Sequence, residues 1–72
     1  MNNYIIPMCE ATFVPKCWVE TINANSISDC QDKLMDLYRD VYDITSQDYR
    51  DFVEEAEESN IIIGSIMDYE TL

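Results

Sequence analysis

Residues 26–43 read SISDCQDKLMDLYRDVYD, and two periodic patterns run through this segment at once. Apolar residues recur three and four positions apart, which is the spacing of one helical turn. This pattern predicts an amphipathic helix over residues 27–42, which is capped either by Ser26 with Asp29 or by Ser28 with Gln31. The predicted buried face consists of Ile27, Cys30, Leu34, Leu37 and Val41.

The acidic residues of this segment follow the same period on the opposite side of the predicted helix. At about 100° per residue, they fall within an arc of roughly 80°, and neighbours in the row are about 5–6 Å apart. Only Lys33 and Arg39 flank them. We therefore expect a nearly straight row of carboxylates formed by Asp29, Asp32, Asp36, Asp40 and Asp43.

A second helix with the same design is predicted over residues 46–58, and Thr45 and Asp48 form a candidate capping pair at its start. Its apolar face comprises Tyr49, Phe52, Val53 and Ala56. The only basic residue within it is Arg50. Its acidic row is formed by Asp48, Asp51, Glu55 and Glu58, and is widened by Glu54 and Glu57.

The flanking segments favour β-strands. Residues 3–13 and 17–24 are rich in β-formers and predict a hairpin. Pro7 lacks a backbone donor, which predicts an edge strand or a bulge at that position. Residues 61–63, Ile-Ile-Ile, predict a buried strand, and Gly64 a bulge or bend after it, before an acidic tail at residues 68–72 that is expected to fray.

The order of elements is therefore ββααβ. We expect one α+β domain spanning residues 1–72, with a three-stranded, mainly antiparallel sheet and two helices on one face. The chain has 72 residues and a formal net charge of -11. This charge disfavours direct binding to nucleic acid or to an anionic membrane. A hydrophobic content of 47% argues against a disordered acidic tail.

The N-terminal segment lacks the basic and apolar regions of a signal peptide, and no apolar run reaches the length of a membrane span. Three dispersed cysteines are a poor disulfide framework, so Cys9, Cys17 and Cys30 are interpreted as reduced, buried small residues. Together these features predict a cytoplasmic protein.

Most catalytic and metal-binding chemistry is disfavoured by composition. The chain has no His and a single Gly. Triads that need an imidazole, phosphate-cradling loops, EF-hand loops and Cys/His zinc sites therefore lack required residues. We expect a protein that is not an enzyme, with no catalytic residue, no bound metal and no cofactor.

The acidic rows suggest a function. Like charges three or four residues apart destabilise a helix by roughly 0.2–0.5 kcal/mol per pair, and a surface selected for solubility normally intersperses both signs. Carboxylates one turn apart have a spacing of the same order as phosphates along a nucleic-acid strand, and could occupy the basic groove of a DNA- or RNA-binding protein. Trp18, Tyr38, Tyr42 and Tyr49 are candidate anchors. The predicted partner-binding residues are Asp29, Asp32, Asp36, Asp40, Asp43, Asp48, Asp51, Glu54, Glu55 and Glu58.

In size, net charge and these two rows, the chain resembles the small acidic inhibitors encoded by bacteriophages and mobile elements. This class includes the DNA mimics among anti-restriction and anti-CRISPR proteins, and inhibitors of uracil-DNA glycosylase. The resemblance covers residues 27–58. It implies a stoichiometric inhibitor, active in a bacterial host, that binds a nuclease or another nucleic-acid-binding protein.

An alternative interpretation treats the charged helical faces as solvated surface that serves solubility. The protein would then be a small interaction module or a homodimer that uses an apolar or strand-edge surface. The candidate edges are Tyr4–Cys9 in the first predicted strand and Ile61–Ile63 in the last.

Overall fold

The computed structural model describes residues 2–69. The chain forms an antiparallel sheet with two helices on one face, so the predicted α+β class is confirmed, and a short fourth strand extends the order to ββααββ. The elements are β1 (Asn2–Glu10), β2 (Lys16–Ala24), α1 (Ile27–Arg39), α2 (Tyr49–Glu58), β3 (Ile61–Ile63) and β4 (Met67–Asp68).

The N-terminal strand β1 lies in the centre of the sheet. It pairs with β2 on one side over its whole length, and with β3 and β4 on the other side. The expected edge position of Pro7 is therefore wrong, and so is the expectation that Tyr4–Cys9 offers a free edge. The free edges of the sheet belong to β2 on one side and to β3 with β4 on the other.

A break in the partner strand explains how Pro7 is tolerated in the central strand. Its carbonyl accepts a hydrogen bond of 2.7 Å from the Gly64 N–H, so its nitrogen faces the same side, where β3 has already ended. A Cβ built on Gly64 would lie 2.8 Å from Pro7 Cγ and 2.9 Å from the Pro7 oxygen. The bulge or bend predicted at Gly64 is confirmed, because β3 ends at Ile63 and the register against β1 shifts by one residue before β4. Only a residue without a side chain can approach Pro7 so closely.

The core lies between the sheet and the helices. Alternate residues of β1, namely Tyr4, Ile6 and Met8, point toward the helices and are buried. Phe52 of α2 and Leu34 of α1 pack against them without solvent exposure. Of the isoleucines at 61–63, only Ile61 is fully buried, while Ile62 lies on the other face of the sheet and is exposed.

The buried face of α1 differs from the predicted one. Cys30, Leu34 and Met35 are its buried residues, whereas Ile27, Leu37 and Val41 are more than half exposed. Relative to the prediction, the helix is rotated so that Met35 faces the core and Leu37 is half exposed. The apolar period therefore predicted a helix correctly but misplaced part of its buried face.

The end of α1 is closed by a left-handed residue that sequence reasoning missed. The helix ends at Arg39 rather than at residue 42, and Asp43 adopts a φ of 56°. The Ile44 N–H then donates to the Arg39 carbonyl at 2.9 Å, the long-range bond typical of a Schellman closure. This closure inserts Ile44 into the core, where it is 2% exposed.

Of the residues predicted to cap the two helices, those at the start of α1 and at the end of α2 are confirmed, and those at the start of α2 are not. At α1, the Asp29 N–H donates to Ser26 Oγ as expected. At α2, which begins at Tyr49, Asp48 is the N-cap and makes no side-chain cap bond, so the predicted Thr45–Asp48 pair is wrong. Asn60 is left-handed, with a φ of 65°, as its place after the helix suggested.

Two of the three cysteines do not behave as predicted. Cys9 and Cys17 face each other across β1 and β2, with Cα atoms 4.1 Å apart, and form a disulfide. Only Cys30 is a buried free thiol. The expectation failed because cysteines eight positions apart look unpaired until the hairpin register brings them together.

The region expected to fray is partly ordered: Asp68 lies in β4 opposite Tyr4. The rest of that predicted tail, residues 70–72, lies outside the described residues. Within residues 2–69, no helix combines the length and the apolar character that crossing a membrane requires.

Candidate interaction surface

The charge of the protein is concentrated in its helix layer. Residues 27–58 contain eleven Asp and Glu but only three Lys and Arg. Both helices lie on the same face of the sheet, and their apolar residues point down into one core. Their polar faces therefore point to the same side of the molecule, and the two predicted rows share one surface, which we call the acidic layer.

The α1 row lies where the sequence placed it, but its members are not equivalent. The Asp29 carboxylate accepts a 3.0 Å bond from the Asn25 N–H and lies 3.4 Å from Lys33 Nζ. These contacts, the backbone bond foremost, lower the pKa of Asp29. Asp32 and Asp36 are both exposed, and Asp36 also forms an ion pair with Arg39 at 3.2 Å.

The row loses its regular course beyond the end of α1. Asp40 is the C-cap, still in a helical conformation and exposed. Asp43 follows in the left-handed turn and is also exposed, but it no longer continues the helical spacing. The regular part of this row therefore runs from Asp29 to Asp40.

The α2 row contains one residue with a structural role. Glu55 accepts bonds from the Thr45 N–H at 3.0 Å and from Ser46 Oγ at 2.8 Å, so it fixes the connection between the helices. The other members are exposed, and they face away from Phe52 and Ala56. They are Asp48, Asp51, Glu54, Glu57 and Glu58.

Arg39 joins the helix connection to the acidic layer. Besides its bond to Asp36, it donates from Nη2 to the Ser46 carbonyl at 3.3 Å. Its Nε is buried without a hydrogen-bond partner among the described residues. This arginine is therefore committed to holding α1 and the connection together.

The outer face of the sheet contrasts with the acidic layer. The alternate residues that point away from the helices include no ionisable side chain within the described strands. They form an uncharged face across all paired strands, made of Asn3, Ile5, Pro7, Cys9, Cys17, Val19, Thr21, Asn23, Ile62 and Met67. Sequence reasoning missed this face, although the absence of charge at odd positions of both hairpin strands was a readable signal.

An aromatic cluster links β2 to α1. The Trp18 indole donates to Glu20 Oε1 at 2.9 Å and to the Tyr38 hydroxyl at 3.3 Å, and the Tyr38 hydroxyl also donates to Glu20. Burial, followed by the bond to Glu20, raises the pKa of Tyr38 to about 12. Tyr42 stacks on Tyr38 with ring centroids 5.6 Å apart.

The four predicted aromatic anchors are half-buried rather than projecting. Trp18, Tyr38 and Tyr42 pack against the core at one end of α1, and Tyr49 stacks on Phe52 at 6.2 Å. Burial raises the pKa of Tyr49. These rings therefore contribute first to the fold, and only their exposed parts are available to a partner.

The described part of the chain contains no pocket and no group of three or more potential metal ligands. Its accessible features are consequently surfaces: the acidic layer, the uncharged face and the free edges of the sheet. Comparison of the chain with protein-family models, with curated proteins and with solved structures gave no significant match.

Proposed function

We propose that this protein is a stoichiometric, non-enzymatic inhibitor of the phage or mobile-element type, and that its acidic layer occupies the basic surface of a nucleic-acid-binding protein. The observation that carries the proposal is the segregation of charge. The exposed carboxylates of both helices point to one side, while the described strands carry no Asp, Glu, Lys or Arg on the opposite face of the sheet.

The energetics of the acidic layer support a binding role. Asp32, Asp36 and Asp40 are like charges one turn apart, an arrangement that costs stability in an isolated fold. A basic groove that normally holds phosphates would neutralise them and gain the steering and counterion release that favour its natural ligand. Relief of the repulsion between these carboxylates would then contribute to the affinity of the complex.

The target class also suggests where the protein acts. Nucleases and defence complexes that bind nucleic acid work in the host bacterial cytoplasm, so we infer action there. Disulfides are uncommon in that compartment, so the hairpin must hold with Cys9 and Cys17 reduced. The continuous ladder between β1 and β2, which extends well beyond this pair, provides that support.

The test is a quantitative pull-down from nuclease-treated bacterial lysate at about 50 mM and about 500 mM salt. Wild-type protein should retain nucleic-acid-binding proteins at low salt and release them at high salt, because exposed charge pairs are screened. The triple variant D32N/D36N/D40N should retain at least tenfold less of the same proteins.

A control with the same net charge separates position from bulk charge. N3K/T12K/S65K changes three exposed residues outside the helices and raises the net charge by the same three units. It should bind like wild type. The proposal fails if the two triple variants lose binding equally, or if neither does.

A further inference from the structure

The free edge of β2 is an unfilled hydrogen-bonding surface. In an antiparallel pair, residues alternate between narrow and wide positions, and those at the narrow, non-hydrogen-bonded positions direct their N–H and C=O groups away from the partner. The 4.1 Å separation of the Cys9 and Cys17 Cα atoms identifies a narrow position. Cys17, Val19, Thr21 and Asn23 therefore point their backbone groups outward from the sheet.

Two further contacts agree with this assignment. Lys33 Nζ donates to the Asn23 carbonyl at 2.9 Å, so that carbonyl does point away from β1. Pro7, opposite Val19, is also at a narrow position, and its carbonyl bonds Gly64 on the far side. Within residues 2–69, β2 pairs with β1 alone, so the groups of Cys17, Val19 and Thr21 face no strand.

The helix above this edge carries apolar side chains that are more than half exposed. Lys33 reaches the β2 edge, and Leu37 is one turn further along the same side of α1. The Tyr42 N–H still donates to the Tyr38 carbonyl, so Val41 continues the helical course on that side. Leu37 is 51% exposed and Val41 65% exposed, whereas the apolar residues of α2 are all buried or packed against the core.

The dimensions of the two layers explain why Leu37 and Val41 overhang the edge of the sheet. Three strands at about 4.8 Å make a sheet about 14 Å wide, and two helices at about 10 Å make a layer about 20 Å wide. The difference is close to one strand. Because the uncovered apolar residues belong to α1, the helix layer extends beyond the sheet on the side of β2.

We propose that an extended segment of the basic target protein adds as a strand along the β2 edge, beneath Leu37 and Val41. The identification of the partner as a basic protein rests on the proposed function. Backbone bonds to Cys17, Val19 and Thr21 supply the pairing, and alternate apolar side chains of the segment cover the overhang. Lys or Arg residues flanking the segment meet Asp36 and Asp40 on the helix above.

A second copy of this chain fits the edge poorly. Pairing of β2 with β2 of another copy would place the two α1 helices about one strand spacing, roughly 5 Å, apart, whereas packed helices keep 8–10 Å between their axes. Their acidic rows would also face each other. The occupant is therefore a strand that carries no helix above it.

The test uses a synthetic probe peptide, acetyl-Lys-Lys-Val-Thr-Val-Thr-Val-Lys-Lys-amide. The control peptide replaces the five central residues with proline, which keeps the charge but removes the central N–H donors. NMR hydrogen exchange of the protein's amides is measured with each peptide. The probe should slow exchange at Cys17, Val19 and Thr21 at least tenfold, and the control peptide should leave these amides unchanged.

Two variants assign the effect to the edge. V19P removes an outward N–H without touching the ladder to β1, and should weaken probe binding at least tenfold, whereas V19T should not. L37N replaces an apolar side chain with an uncharged polar one at a half-exposed site, so it keeps the fold and adds no charge, and it should also weaken binding of the probe. Equal affinity for the two peptides, or no protection at the three amides, overturns the inference.

These outcomes are distinguishable from failure of the proposed function. If D32N/D36N/D40N loses the cellular targets while V19P keeps them, the acidic layer binds without strand addition, and the inference alone is wrong. If V19P and L37N lose the targets while D32N/D36N/D40N keeps them, strand addition stands and phosphate mimicry is wrong.

Discussion

The outer side of the helices and the outer side of the sheet differ more in charge than in any other property. The helix side carries exposed acids such as Asp32, Asp51 and Glu58, while the sheet side presents Val19, Thr21 and Ile62. Both sides face water in the isolated domain, and both derive from amphipathic segments. Solvation alone would have placed some charge on each, and this difference is the observation on which the proposed binding role of the acidic layer rests.

The two sides also differ in how they affect stability. The sheet side is held by close contacts, including the approach of Gly64 to Pro7 and the disulfide between Cys9 and Cys17. The helix side carries repulsion between neighbouring carboxylates. Substitutions at these close contacts should therefore destabilise the domain, whereas neutralising exposed acids in the regular part of the α1 row should stabilise it.

The largest effect is expected at Gly64. In G64V the new side chain collides with Pro7 in the central strand, and overpacking of this kind costs about 2–3 kcal/mol. Urea unfolding measures the loss. The neighbouring change S65V, at an exposed position, should alter the unfolding free energy by less than about 0.5 kcal/mol. Similar values for both variants would show that the close approach is not required.

The second effect concerns the hairpin disulfide. The Cys9–Cys17 bridge closes a short loop with a sequence separation of 8 residues. Its chain-entropy contribution is about 2–3 kcal/mol. C17S should lower the midpoint of urea unfolding, and reductant should lower that of wild type to match. A reductant effect that persists in C17S would point to another origin.

The third set of substitutions lies on the helix side and is expected to stabilise the domain rather than destabilise it. D32N/D36N/D40N removes like-charge pairs and an acid at the C-terminus of α1, but it also removes the exposed ion pair of Asp36 with Arg39, so the unfolding free energy should rise by only about 0.5 kcal/mol. The gain should shrink in about 0.5 M salt, because screening already reduces the repulsion in wild type. If this variant is less stable than wild type at low salt, repulsion between these carboxylates does not lower the stability of the domain.

The last effect is absent at neutral pH and appears only under alkaline conditions. The pKa of Tyr38 is raised to about 12, against about 10 in an unfolded chain. The folded state thus holds this proton more tightly, and the stability it confers is complete below pH 10 and is lost as the pH rises toward 12. Y38F should remove this component between about pH 10 and 12, and the exposed control Y69F should not. Identical profiles for Y38F and wild type would exclude the contribution.

The elements were predictable because their signals are local. The periods around Leu34 and Phe52 and the breaks at Gly64 and Asn60 are properties of short segments. The details that failed depend on tertiary pairing. The central position of β1, the Cys9–Cys17 bridge and the insertion of Ile44 all require knowledge of which segments meet.

The candidate surfaces divide in the same way. The acidic residues were identified from helical spacing, although the structural role of Glu55 and the irregular position of Asp43 could not be. The open edge of β2 was missed, because the hairpin alone does not indicate which of its strands receives a third. The exposure of Leu37 could not be predicted either, because it also depends on which strand of the hairpin receives the third strand.

The central place of β1 also has a consequence for biosynthesis. This strand is synthesised before the other described strands, yet its partners on one side, Ile61–Ile63 and Met67–Asp68, follow about 50 to 65 residues later. Throughout translation the nascent hairpin exposes one side of its central strand, the side that the finished fold covers. Folding is therefore expected to complete only after most of the chain has left the ribosome, and until then the site most prone to wrong pairing is β1 rather than the edge that remains open in the native protein.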